Sequence, residues 1–115
     1  MGAPHDDPNA IELLEAVREW IERDLIPGTD GRLRFHARVA ANMLAMVERE
    51  IDLGPAQMVA HVARLEQLGV ADDAELAVAI RERRFEGRAV ELRTLLAETV
   101  ADKLAVANPS YLDSP

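Results

Sequence analysis

Residues 31–53 read GRLRFHARVAANMLAMVEREIDL, and their apolar positions, Leu33, Phe35, Val39, Ala40, Met43, Leu44, Val47 and Ile51, recur mainly at steps of three and four. That is the period of an amphipathic helix rather than of a strand. The apolar arc is wider than a single stripe, which predicts the central helix of an all-α protein. N-terminal to it, Ile11, Leu13, Leu14, Val17, Ile21 and Leu25 repeat the same period and predict a first helix over 9–26. Its start is marked by Asp7 and Pro8, or by Asn9 with Glu12 three residues on as a capping box, and Pro27-Gly28 stops it. C-terminal to the central helix, Gly54-Pro55 predicts a break. A third helix over 55–68 then carries Met58, Val62, Leu65 and Leu68 and stops at Gly69. Asp72 or Asp73 caps a fourth, running to about residue 85 with a break near Gly87. A fifth over 89–107, with Leu92, Leu96, Val100 and Leu104, is ended by Asn108-Pro109. No segment alternates in the manner of a strand. The expectation is a compact bundle of about five mostly antiparallel helices with short connections, forming one domain over 9–108 between tails at 1–8 and 109–115.

Composition agrees with this class and removes several functions. The chain has 115 residues, 49% hydrophobic and 30% charged, with only four aromatic residues, Trp20, Phe35, Phe85 and Tyr111. A core of Ala, Leu, Val, Ile and Met follows, and such small side chains suit closely packed helices. There is no cysteine, hence no disulfide, no thiolate nucleophile and no zinc-finger type site. His5, His36 and His61 lack the spacing of a metal site, so no metal or other cofactor is expected. Phosphate-cradling glycine motifs are absent, and the two serines, Ser110 and Ser114, stand far from any nucleophile-elbow pattern. A net charge of −8 argues against nucleic acid and anionic membrane as partners. The start, MGAPHDDP, resembles no leader and no run is apolar enough to span a bilayer, so a cytoplasmic location is expected.

A few residues depart from a plain bundle. Glu12, Glu15, Glu19 and Glu22 fall at steps of three, four and three and form one acidic stripe on the first helix, either a solvated face or an electrostatic docking surface. Arg32, Arg34 and Arg38 crowd the first turns of the central helix, where the dipole disfavours each cation by roughly 0.3–1 kcal/mol. Compensation could come from helix 1 carboxylates, Asp24 or Asp30, or from a bound anion. His36 falls within the arc of Leu33, Val39, Ala40, Met43 and Val47, which places it toward the core, and Lys103 lies between Leu96, Val100 and Leu104. Each has two readings. The histidine is a hydrogen-bonded core residue and the lysine stem covers apolar surface with its ammonium in water, or the two line a polar pocket with Arg38 and Asn42. Arg81, Arg83, Arg84 and Arg88 form one basic turn among carboxylates, without aromatic interleaving.

The run DGRLRFHARVAANMLAMVERE at 30–50, with RFHARVAAN at its centre, and DKLAVANPSYL at 102–112 resemble a family of short bacterial proteins, DUF6285; the opening AIELLEAVREWI at 10–21 is similar to it as well. The family motif overlaps Arg32, Arg34, His36, Arg38 and Asn42 in the first block and Lys103, Asn108 and Tyr111 in the second. The resemblance brings no established activity and no catalytic residues. It implies an accessory role beside acyl-CoA dehydrogenases and aminoglycoside-phosphotransferase-like kinases. The function expected is therefore a non-catalytic helical module that binds a partner protein, such as an enzyme of acyl-CoA or phosphotransfer metabolism. It would use the acidic face or the edge around Phe35, Arg38 and Asn42. The alternative is a module that grips an anionic ligand, such as a CoA ester or nucleotide, with Arg32, Arg34, Arg38 and Lys103. An enzyme using His36 and Lys103 as an acid–base pair is the third reading. A homodimer is also compatible with so small a core.

Overall fold

The computed structural model describes residues 9–112, and among them it is helical without a strand. The helices are α1 (Ala10–Trp20), continued by a π-helical turn (Ile21–Leu25), α2 (Gly31–Leu68), α3 (Asp73–Arg81), a 3-10 turn (Glu86–Arg88), α4 (Ala89–Ala107) and the single turn α5 (Pro109–Leu112). Four long helices thus replace the five expected, because Gly54-Pro55 does not interrupt α2. Proline normally disfavours helical backbone at the preceding residue by a clash with its side chain. Glycine has no Cβ to clash. The pair that reads as a break is therefore one that a helix can accommodate, at the loss of one backbone hydrogen bond. Pro109–Leu112 is helical where a tail was expected, and the expected tail at 1–8 lies outside the described residues. The chain divides into two compact units, residues 1–53 and 54–115.

In the first unit α1 opens with the expected capping box. The Glu12 amide donates to Asn9 Oδ1 at 2.9 Å and the Asn9 amide donates to Glu12 Oε1 at 3.2 Å. The π turn follows, closed by the Ile26 amide donating to the Ile21 carbonyl at 2.8 Å. At Gly28 a Cβ would lie 2.8 Å from the Asp24 carbonyl oxygen, so the turn needs glycine. The core of this unit is small. Ile21, Ala37 and Ala41 are buried, and Leu25, Ile26, Ala40 and Leu44 pack against them. Arg18 and Glu48 meet beside it, Nε to Oε2 at 2.7 Å and Nη2 to Oε1 at 3.2 Å, a two-pronged pair with side-chain exposures of 24% and 12%.

The second unit gathers Leu65, Leu68, Val70, Leu76, Ala79, Phe85 and Leu95 into one core, with Leu92 against it. Two reversals of the same design shape it. After α2, Gly69 takes φ +76°, the Val70 amide donates to the Leu65 carbonyl and the Gly69 amide to the Glu66 carbonyl, both at 3.0 Å. After α3, Arg83 takes φ +60°, the Arg84 amide donates to the Ala79 carbonyl and the Arg83 amide to the Ile80 carbonyl, again at 3.0 Å. Both are Schellman motifs, the first with the preferred glycine and the second with an arginine. The second ends α3 at Arg81, four residues before the expected end, and turns Phe85 into the core. Asp72 caps α3 as expected, its Oδ1 accepting from the Glu75 amide at 2.8 Å. The C-terminal part of α2 is tied to α4 by Arg64 Nη2 to Asp102 Oδ2 at 2.8 Å and by Gln57 Nε2 to the Asp102 carbonyl at 2.8 Å.

Candidate functional site

The first unit exposes two apolar faces, and their geometry follows from α-helical phase. On α2, residues advance about 100° each. Ala37, Ala41, Leu44 and Glu48 share one side and face the core and Arg18. Phe35, Val39, Met43 and Met46 share the opposite side, and all four are exposed, Phe35 by 63% and Met43 by 60%. This corrects the expected burial. The arc of Leu33, Val39, Met43 and Val47 is in water, and His36 with it. The physical reason is size: small side chains at 37 and 41 let the chain after α1 approach α2 closely, so the alanine side is the one covered. His36 accepts a hydrogen bond at Nε2 from Arg32 Nε at 3.3 Å, and Phe35 meets its ring edge-on at 5.6 Å.

On α1, Leu13, Val17 and Trp20 are exposed, Trp20 by 54%. The glutamate stripe runs alongside. Its members have partial local partners: Glu12 is in the capping box, Glu19 pairs with Arg23, and Glu22 Oε1 accepts from Arg18 Nη1 at 3.0 Å. Glu12, Glu15, Ala16, Glu19, Trp20, Arg23 and Asp24 together line an open groove of about 420 Å³. An indole beside several carboxylates is a surface for an apolar group carrying positive charge.

The arginines at the start of α2 are disposed differently from one another. Arg34 Nε donates to the carbonyls of Thr29 at 2.7 Å and Ile26 at 3.1 Å, closing the turn that precedes α2. Main-chain oxygens, rather than a helix 1 carboxylate, Asp24 or Asp30, therefore compensate this cation. Arg38 and Asn42 are exposed. In the second unit Lys103 is exposed, and Asn108 joins α4 to α5, its amide donating to the Leu104 carbonyl at 2.8 Å and its Oδ1 accepting from Ser110 Oγ at 2.8 Å. The basic turn is paired locally: Arg84 with Glu82 at 2.5 Å, Arg83 with Glu86 at 3.8 Å and Arg88 with Glu91 at 2.7 Å. Hydrogen bonds from Arg88 and Gln67 hold the Glu91 carboxyl down at about 2. The hydrogen bond to Glu48 likewise raises Arg18 above the ordinary guanidinium range.

Sequence reasoning did not single out the His61–Asp73 contact, Nε2 to Oδ1 at 2.8 Å, nor the groove lined by Ala60, Ala63, Arg64, Gln67, Glu91, Thr94, Leu95 and Glu98. The contact joins the consecutive helices α2 and α3, and the groove joins α2 to α4. No nucleophile accompanies the histidine among these contacts, and no group of three His, Asp or Glu residues capable of holding a metal occurs among the described residues. Among these residues, too, no helix is long and apolar enough to cross a membrane.

No curated protein and no solved structure matches the chain. The model of one family does match, described as "Domain of unknown function (DUF6285)", over residues 27–111. The match begins at the turn before α2, so the similarity of the α1 opening lies outside it. It takes in the whole of α2, α3 and α4, with the block at 30–50 and all of the block at 102–112 but its last residue, Leu112. On that span, which is well over half of its length, the chain belongs to the DUF6285 family.

Proposed function

We propose that this protein is a non-catalytic helical module that docks a partner protein on the exposed face of α1. The observation that carries the reading is Trp20 in water, sharing a groove with Glu12, Glu15 and Glu19, with Leu13 and Val17 also exposed on α1. Tryptophan is the residue most enriched among energetic anchors of interfaces, and acidic neighbours steer a basic partner toward it. The partner chemistry that fits is an apolar pocket rimmed by lysine or arginine. Enzymes of acyl-CoA or phosphotransfer metabolism are the partners that the family resemblance suggests.

The test is co-expression with an acyl-CoA dehydrogenase and with a phosphotransferase-like kinase from the same organism, followed by affinity measurement on any complex. Trp20→Ala is expected to weaken the complex by tenfold or more. The double reversal Glu15→Lys, Glu19→Lys is expected to slow association and to flatten its salt dependence. Absence of binding at tens of micromolar, or a complex indifferent to Trp20→Ala, would refute the reading.

A further inference from the structure

The second apolar face of the first unit has a feature that a generic docking surface lacks: it is complementary to itself. Arg32 and Glu50 lie eighteen residues apart, five full turns, so they project from the same side of α2 about 27 Å apart along its axis. Between them, on that side, stand Phe35, Val39, Met43 and Met46, exposed and without charge. Arg32 and Glu50 are exposed too, and among the described residues neither forms an ion pair within the chain. The stripe therefore begins with a positive charge and ends with a negative one, with apolar side chains between.

We propose that this stripe is a two-fold interface with a second copy of the chain, the two α2 helices lying antiparallel. A two-fold axis at the height of residue 41 brings Arg32 of one copy opposite Glu50 of the other, Phe35 opposite Met46, and Val39 opposite Met43, each twice. A parallel arrangement would set Arg32 against Arg32 and Glu50 against Glu50, which like-charge repulsion disfavours. Isologous pairing of one patch with itself is the usual construction of a closed dimer. The need for it is visible in the unit itself, whose buried core consists of one isoleucine and two alanines. Small units of this kind commonly gain core by association. The face is distinct from that of α1. Self-association through α2 is therefore independent of partner binding through α1.

The experiment is sedimentation equilibrium of the full chain, across about 1–200 μM, with circular dichroism as the check on folding. The wild type is expected to be a dimer and Met43→Glu a folded monomer, because Met43 is in water in the single chain and its replacement leaves the core intact. Arg32→Glu and Glu50→Arg are each expected to weaken the dimer at least tenfold. The double swap, Arg32→Glu with Glu50→Arg, is expected to restore it. At about 27 Å apart in one helix, the two residues cannot repair one another within a chain, so rescue reports the contact between copies. A monomeric wild type throughout the range would overturn the proposal. So would a dimer unaffected by Met43→Glu, or single-swap losses that add in the double variant. Partner binding through α1 is expected to survive Met43→Glu, which separates the two readings.

Discussion

Replacing Arg83 by glycine is expected to stabilise the protein. Arg83 occupies the left-handed position of the Schellman motif that ends α3, at φ +60°. For an L-residue with a Cβ that conformation costs roughly 1–2 kcal/mol, whereas glycine adopts it freely. Against this stands the greater freedom that glycine gives the unfolded chain, roughly 0.5–1 kcal/mol. The substitution also removes the Arg83–Glu86 pair, which is 3.8 Å long and exposed at both ends, and such surface pairs contribute little. The net gain expected is about 0.5–1 kcal/mol, which would raise Tm by roughly 2–6 °C in a domain of this size. Urea unfolding followed by circular dichroism gives the value directly, as a higher midpoint with an unchanged slope. Arg83→Ala is the control: it removes the same charge and keeps the unfavourable backbone, so no gain is expected. Gly69→Ala, at the equivalent position after α2, supplies the converse. A Cβ there meets nothing within 4 Å, so the expected loss of about 1 kcal/mol comes from the backbone angle alone. Equal stabilisation by Arg83→Ala and Arg83→Gly would show that charge, not conformation, is at issue, and the argument would fail.

Other outcomes follow from contacts within each unit. Arg18→Ala leaves the largely covered Glu48 without its guanidinium, with an expected loss of about 1–3 kcal/mol; a double-mutant cycle with Glu48→Ala measures the coupling, and a value near zero would contradict the geometry. Gly28→Ala would press a Cβ to 2.8 Å from the Asp24 oxygen and is expected to destabilise by about 1–2 kcal/mol in the same urea assay. Glu91, ordinarily near 4.5, is held at about 2 by Arg88 and Gln67. Because its folded value is depressed, its contribution is complete above about 4.5 and is lost as pH falls toward 2, where the folded carboxylate is protonated. Glu91→Gln should therefore be less stable at neutral pH and show a shallower decline between pH 4.5 and 2; parallel profiles would exclude the pairing.

The residues differ in how openly they announced this structure. α4 runs Ala89–Ala107 as its spacing and Asn108-Pro109 require, and the Asn9/Glu12 box and the stops at Gly28 and Gly69 were legible because each is a local effect of one or two side chains. Gly54-Pro55 reads as a break yet is helical, because glycine lacks the Cβ whose clash with the proline ring the proline rule assumes. The end of α3 was hidden because its reversing residue is an arginine, a type that carries no turn signal. The burial of α2 was inverted for a different reason. Its apolar residues occupy two opposite sides, and periodicity cannot say which side another segment covers; only the sizes of Ala37 and Ala41 pointed to close packing. The glutamate stripe and Trp20 were both visible as letters, but the groove they share is a product of the helix that carries them.

The π turn at Ile21–Leu25 acts on the chain as a phase shifter. In an uninterrupted α-helix Ile26 would stand about 140° around the axis from Ile21; the wider turn brings it back above Ile21, so that Leu25 and Ile26 both reach the core. One extra residue of chain is thereby absorbed within a single turn. Were these residues wound as regular α-helix, with none lost and with Leu25 and Ile26 keeping their places, everything N-terminal would turn by roughly 100°. Side chains of the acidic stripe would then swing toward the positions of Ile11 and Leu14. The orientation of the α1 surface is thus fixed by how the turn beyond its end is wound, a constraint on that surface as strong as the identity of any side chain displayed there.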